Sequence, residues 1–150
     1  MKLAEALKER ADLNIKLQEI ANRVGCNILV QEGEKPAEDP NELLKEYDGA
    51  SKRLVELVTR INQTNAVITL NGQTITSLIA KKDVLKQKLK NYQDLVFTAS
   101  NIASRVQRSE IKILPTVEVK ELQKKCDSLA KELRELENCL QEANWTTELL

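Results

Sequence analysis

VEVKELQKKCDSLAKELRELENCLQEANW, residues 117–145, places an apolar residue at alternating steps of three and four: Val119, Leu122, Cys126, Leu129, Leu133, Leu136, Leu140 and Ala143. Residues three and four apart lie on one face of a helix, so this spacing draws a single apolar seam along it. Lys, Glu, Gln and Arg fill the positions between and solvate the other faces. The same spacing occurs three more times. Leu3, Ala6, Leu13, Leu17, Ile20 and Val24 carry it, interrupted at Arg10. Leu43, Tyr47, Ala50, Leu54, Leu57 and Ile61 keep it unbroken. Leu78, Leu85, Leu89, Tyr92, Val96, Ala99 and Ala103 keep it apart from Lys82. Four narrow seams call for near-parallel packing of long helices.

The punctuation between the seams agrees. Gly25 follows the first seam where a helix-ending glycine is expected. Asp39-Pro40-Asn41-Glu42 reads as an N-cap, a proline at the first helical position and a glutamate that can complete a capping box. Pro115-Thr116 precedes the fourth helix, with Glu118 in its first turn. The expected fold is all-α. It is a single domain over 1–150, an antiparallel four-helix bundle with helices near 2–24, 40–63, 77–106 and 117–144.

Composition fits this reading and excludes much else. The 150 residues are 31% charged and 3% aromatic, which favours helix over sandwich or barrel. Lys plus Arg and Asp plus Glu are 23 each, so no net field draws the chain to nucleic acid or an anionic membrane. Apolar runs are only a few residues long, too short to span a bilayer. Glu5 and Glu9 interrupt any signal-peptide core at the N-terminus. Histidine is absent, which removes the commonest general base and zinc ligand. The 3 cysteines, Cys26, Cys126 and Cys139, read as reduced thiols of a cytoplasmic protein, with Cys126 in the core. No glycine-rich phosphate loop is present. Glu132, Glu135 and Glu137 flank the inward Leu133 and Leu136, so they read as a solvated face laced with Lys131 and Arg134 rather than a magnesium site.

The bundle ends are where the sequence departs from the heptad pattern. At one end, Asn27–Gln31 and Glu110–Leu114 have extended-chain character and can pair as a two-stranded ribbon. At the other, INQTNAVITLNGQTITSLIA (61–80) contains Asn71-Gly72, the signature of a hairpin with a primed turn. Polar residues gather around it in the bundle reading: Arg10, Arg60, Asn62, Thr64, Asn65, Asp83, Asn144 and Trp145. The two arginines can bind a carboxylate or phosphate, and Trp145 can cover a flat ligand. The competing reading is structural. Asn and Thr are ordinary turn and cap residues, and Arg10 with Asp83 can form a buried pair that fixes register.

RINQTNAVITLNGQTIT (60–76), QEGEKPAEDP (31–40), RSEIKILPTVEV (108–119) and ELQKKCDSLAKELRELENCLQEANWTTEL (121–149) together resemble a family of small bacterial proteins described as septicolysin-like. The resemblance covers nearly the whole chain, and the family name implies a pore-forming cytolysin. The residues themselves speak against that activity, because the helices have charged outer faces rather than a broad membrane face.

The function read from the sequence is a cytoplasmic, non-enzymatic helical protein. It self-associates through outer helix faces carrying the off-seam apolar residues Leu7, Ile15, Leu44, Val58, Ile79, Leu95, Phe97 and Ile102 and engages an unidentified protein partner. Neither nucleic acid nor membrane is a partner, and no cofactor or metal is expected. The alternatives are a ligand-binding or enzymatic site formed by the eight polar residues above, and the cytolysin.

Overall fold

The computed structural model describes residues 1–101 and 111–150. Along the chain run α1 (Leu3–Asn27), α2 (Pro40–Val67), β1 (Thr69–Leu70), β2 (Gln73–Thr74), α3 (Ile75–Ser100) and α4 (Val119–Thr146). The fold is all-α with one small two-stranded sheet.

Local chemistry sets most boundaries. Asp39 caps α2, its carboxylate accepting from the Asn41 N–H at 2.9 Å, with Pro40 at the first helical position. The α2 cap shows no reciprocal capping-box bond from Glu42, whose carboxylate accepts from Lys45 Nζ at 2.8 Å. Thr74 caps α3, its hydroxyl accepting from Ser77 N–H at 3.2 Å, so the helix begins two residues before the expected start at 77. Between β1 and β2, Asn71 (φ 51) and Gly72 (φ 81) occupy the left-handed region, as a primed two-residue turn requires. The tight turn expected at Asn71-Gly72 is therefore present.

Three expectations are overturned. α1 runs through Gly25 to Asn27. Asn27 holds the last turn, donating from Nδ2 to Arg23 O at 2.8 Å while its Oδ1 accepts from Glu38 N–H at 3.0 Å. These bonds outweigh the glycine stop signal. Of the expected ribbon, Asn27 is helical and neither 28–31 nor 111–114 forms a strand among the described residues, while Glu110 lies outside them. α2 continues past 63 to Val67, because Thr64 is a buried helical residue whose hydroxyl donates to Arg60 O at 2.8 Å. The expected extension of α3 to 106, and Ala103 of its seam, lie outside the described residues.

The chain divides into two compact units, Met1–Thr69 with Ala143–Leu150, and Leu70–Glu142. In the first, α1 packs on α2. Leu3, Ala6, Ile20 and Val24 are buried on one helix, and Leu43, Ala50, Leu57 and Ile61 on the other, all seam positions read from sequence. Burying a Leu or Ile side chain contributes about 1.5–3 kcal/mol. Flanking the seam are the ion pairs Glu9–Arg53 (2.7 Å), Lys16–Glu46 (2.9 Å) and Arg23–Glu38. Partly exposed as they are, such pairs each contribute at most about 1 kcal/mol and act chiefly on register. The end of the chain returns to its beginning: Leu3 N–H donates to Thr147 O and Leu149 N–H to Met1 O, both at 2.9 Å, around an antiparallel bridge between Lys2 and Glu148.

In the second unit the buried seam is Ile75, Leu78 and Leu85 on α3 and Cys126, Leu129 and Leu140 on α4. Cys126 is the core thiol expected of it, Cys26 is exposed, and all three cysteines are free. Glu132 and Glu137 do lie on a solvated face, but their partners are α3 lysines: Lys81 at 3.2 Å and Lys86 at 3.0 Å. Tyr92 takes Lys88 and Lys125 over its ring, at 6.0 and 5.7 Å from the centroid.

Candidate functional site

The last turns of α2 carry Arg60, Asn62, Thr64 and Asn65. Thr64 is fully buried, and besides donating to Arg60 O its hydroxyl accepts from Leu150 N–H at 3.0 Å. Arg60 Nε donates to the Leu150 main-chain oxygen at 2.6 Å. Two residues one helical turn apart thus grip the backbone of Leu150 at both its polar atoms. They use the chemistry that a peptide-binding groove uses on an extended segment. Asn65 is half-buried, and its Oδ1 is shielded from solvent without a hydrogen-bond partner. Asn62 is exposed.

The remaining expected site residues are distributed over both units. Asn144 is half-buried at the end of α4, and Trp145 is 62% exposed. Arg10 is exposed on α1. Asp83 belongs to the other unit, is exposed, and pairs with its neighbour Lys82 at 3.6 Å. The buried Arg10–Asp83 pair is therefore corrected: both side chains stand in solvent, where each ion is already stabilised by water.

Sequence reading passed over the residues that organise this unit. Arg53 binds Glu9 through Nε at 2.7 Å and Nη2 at 3.1 Å, and Glu56 through Nη1 at 3.0 Å. The hydrogen bond from Arg53 holds the Glu9 carboxyl below the usual carboxylate range, and the charge of Arg60 adds to it. Lys2 and the amino terminus hold Glu148 down in the same way. Arg23 depresses Glu38 and Lys16 depresses Glu46. The available signal was charge complementarity: Glu9, Lys16 and Arg23 along α1 are each opposite in sign to Arg53, Glu46 and Glu38 in turn.

In the second unit, Leu95 and Ala99 of α3 and Leu122 of α4 line an apolar cleft with Leu114 and Val117, with a volume of about 350 Å³. Among the described residues no group of three or more Cys, Asp or Glu is placed to hold a metal ion. No described helix is long and apolar enough to cross a membrane.

Residues 10–149 match the family model DUF6847, described as a family of unknown function. The chain belongs to the DUF6847 family. Its fold is also that of a solved structure, described as the crystal structure of a functionally unknown conserved protein from Corynebacterium diphtheriae. That chain is 38% identical with a TM-score of 0.89, over 100% of this chain and 99% of that one. No curated protein matches this DUF6847 chain.

Proposed function

We propose that this DUF6847 protein is a cytoplasmic, non-catalytic, antiparallel four-helix bundle that self-associates and serves as a protein-interaction module. The observation that carries the reading is apolar surface left outside the seams: Val84, Leu95 and Phe97 on α3 are 64%, 54% and 68% exposed, and Leu29 is 86% exposed. Large apolar side chains left in solvent are surface that a partner can cover. The pairs Glu9–Arg53 and Lys16–Glu46 step up α1 as they step down α2, and Arg23–Glu38 continues the order into the segment before α2, which supports the antiparallel arrangement of that pair. Arg60 and Thr64 are engaged with the chain's own backbone, which supports a structural role for the polar end. Sedimentation velocity tests the proposal: reversible association at micromolar protein is expected, and a monomer at every concentration would refute it.

A second reading rests on Asn65. A shielded amide oxygen without a partner costs about 1–3 kcal/mol, and a ligand donor beside Arg60 would recover it. Native mass spectrometry would then find an excess mass that Arg60→Leu abolishes while leaving the fold intact. The septicolysin-like resemblance supplies a third reading, membrane lysis. Dye leakage from liposomes at micromolar protein would support it, and intact liposomes across neutral and acidic pH would exclude it.

A further inference from the structure

Helix α4 repeats the sequence of α2. Glu42-Leu43, Lys45, Asp48, Lys52, Leu54, Glu56-Leu57 and Asn65 of α2 recur in register as Glu121-Leu122, Lys124, Asp127, Lys131, Leu133, Glu135-Leu136 and Asn144 of α4. Backbone bonds at the helix ends correspond as well. Leu43 N–H to Asp39 O (3.2 Å) matches Leu122 N–H to Glu118 O (3.0 Å), and Ile68 N–H to Thr64 O matches Thr147 N–H to Ala143 O, both 2.9 Å. In α1 and α3 the buried pairs Leu3, Ala6 and Ile75, Leu78 stand at matching positions.

This internal repeat exposes a substitution of chemistry. In the first pair the polar residues Arg23, Asn27 and Glu38 bind one another and close the end next to the loop. Their counterparts in the second pair are Leu95, Ala99 and Val117, and all three line the apolar cleft. Where the first pair has a clamp that satisfies itself, the second has a concave apolar surface. The first pair, in turn, presents an apolar projection: Ile28, Leu29 and Val30 are 61%, 86% and 49% exposed.

We infer that the cleft lined by Leu95, Ala99, Leu114, Val117 and Leu122 receives the Ile28-Leu29-Val30 segment of a second copy of this chain. The inference rests on the self-association reading and gives it a location. Charge favours this occupant. Loop 27–39 carries Glu32, Glu34, Glu38 and Asp39 against Lys35 alone, whereas segment 111–125 carries Lys112, Lys120, Lys124 and Lys125 against Glu118 and Glu121. An acidic loop with an apolar tip meets a cleft with basic flanks, which orients the encounter and makes it sensitive to salt. A volume of about 350 Å³ is enough for a few branched aliphatic side chains and lies at the low end for a small-molecule site.

The test is sedimentation velocity on the full chain over about 1 to 300 µM, a range that spans weak to moderate self-affinity. Leu29→Asp and Leu95→Asp alter exposed positions, so both variants retain the helical fold, checked by circular dichroism. Each alone is expected to weaken association at least about tenfold. An equimolar mixture is expected to recover much of it, because every mixed pair keeps one intact tip and one intact cleft. High salt is expected to weaken the parent. If the parent associates and either variant associates equally well, the docking is refuted while self-association stands. If the single variants fail and the mixture fails too, the pairing of tip with cleft is refuted. A parent that stays monomeric refutes both. A monomeric parent whose cleft binds an apolar dye, lost in Leu95→Asp, would assign the cleft to a small molecule instead.

Discussion

Thr64→Val separates a structural threonine from a functional one. The substitution keeps the branched shape, so the fully buried site stays filled, and only the hydroxyl is lost. Two bonds go with it. The donation to Arg60 O (2.8 Å) is cheap to lose, because a carbonyl inside a helix has a backbone partner in addition. The acceptance from Leu150 N–H (3.0 Å) is the costlier one, since that amide is partly buried. One net hydrogen bond is worth about 0.5–1.5 kcal/mol, so Thr64→Val should destabilise by about 1 kcal/mol. Thr64→Ala removes a buried methyl besides, adding about 1 kcal/mol. Urea unfolding at constant slope reads both as shifts of midpoint, and about 1 kcal/mol lowers the thermal midpoint by roughly 2–4 °C for a chain of this size. Amide exchange at Leu150 should quicken in both. A Thr64→Val protein as stable as the parent, with unchanged exchange at Leu150, would refute the structural assignment and return Thr64 to the list of ligand-binding candidates.

Asn27→Ala strands the Glu38 N–H and removes the Nδ2 bond to Arg23 O, and should cost about 1–3 kcal/mol, with faster proteolysis in loop 28–38 as the local readout. Leu57→Ala empties a fully buried seam position and should cost about 2–5 kcal/mol by urea unfolding. Glu9, Glu38, Glu46 and Glu148 all have carboxyls below their ordinary range. The unfolded chain therefore binds more protons than the folded one in acid. The contribution of these groups is present above the unfolded carboxylate value and is lost as pH falls through the lower folded values. Thermal midpoints measured from pH 7 downward should drop through the acid range, and Glu46→Gln should make that drop shallower.

The sequence made legible whatever depends on side-chain spacing. The seam residues Ile20, Leu43, Leu57, Ile61, Leu85, Leu129 and Leu140 are buried as their period requires. The Asp39 cap and the Asn71-Gly72 turn were readable because each needs a particular residue at a particular step. What was hidden are contacts made by main-chain atoms far apart in sequence. The pairing of Lys2 with Glu148 uses backbone groups that every residue has, and the grips of Arg60 and Thr64 on Leu150 end on such groups too. Gly25 misled because local propensity was weighed without the tertiary bonds of Asn27, two residues on. Arg10 drew attention as a charge in a heptad position, but its neighbour Glu9 is the residue that reaches α2, through Arg53. The clamp of Arg23, Asn27 and Glu38 became visible only when its apolar counterpart was set beside it.

The most direct test of the central claim is native mass spectrometry of the full chain purified without denaturant. Self-association predicts masses of two or more chains at high micromolar protein that give way to the single chain on dilution, with no excess mass. A single-chain mass at every concentration would contradict it. So would a monomer carrying a bound molecule that is lost in Arg60→Leu, which would identify the end of α2 as a ligand site.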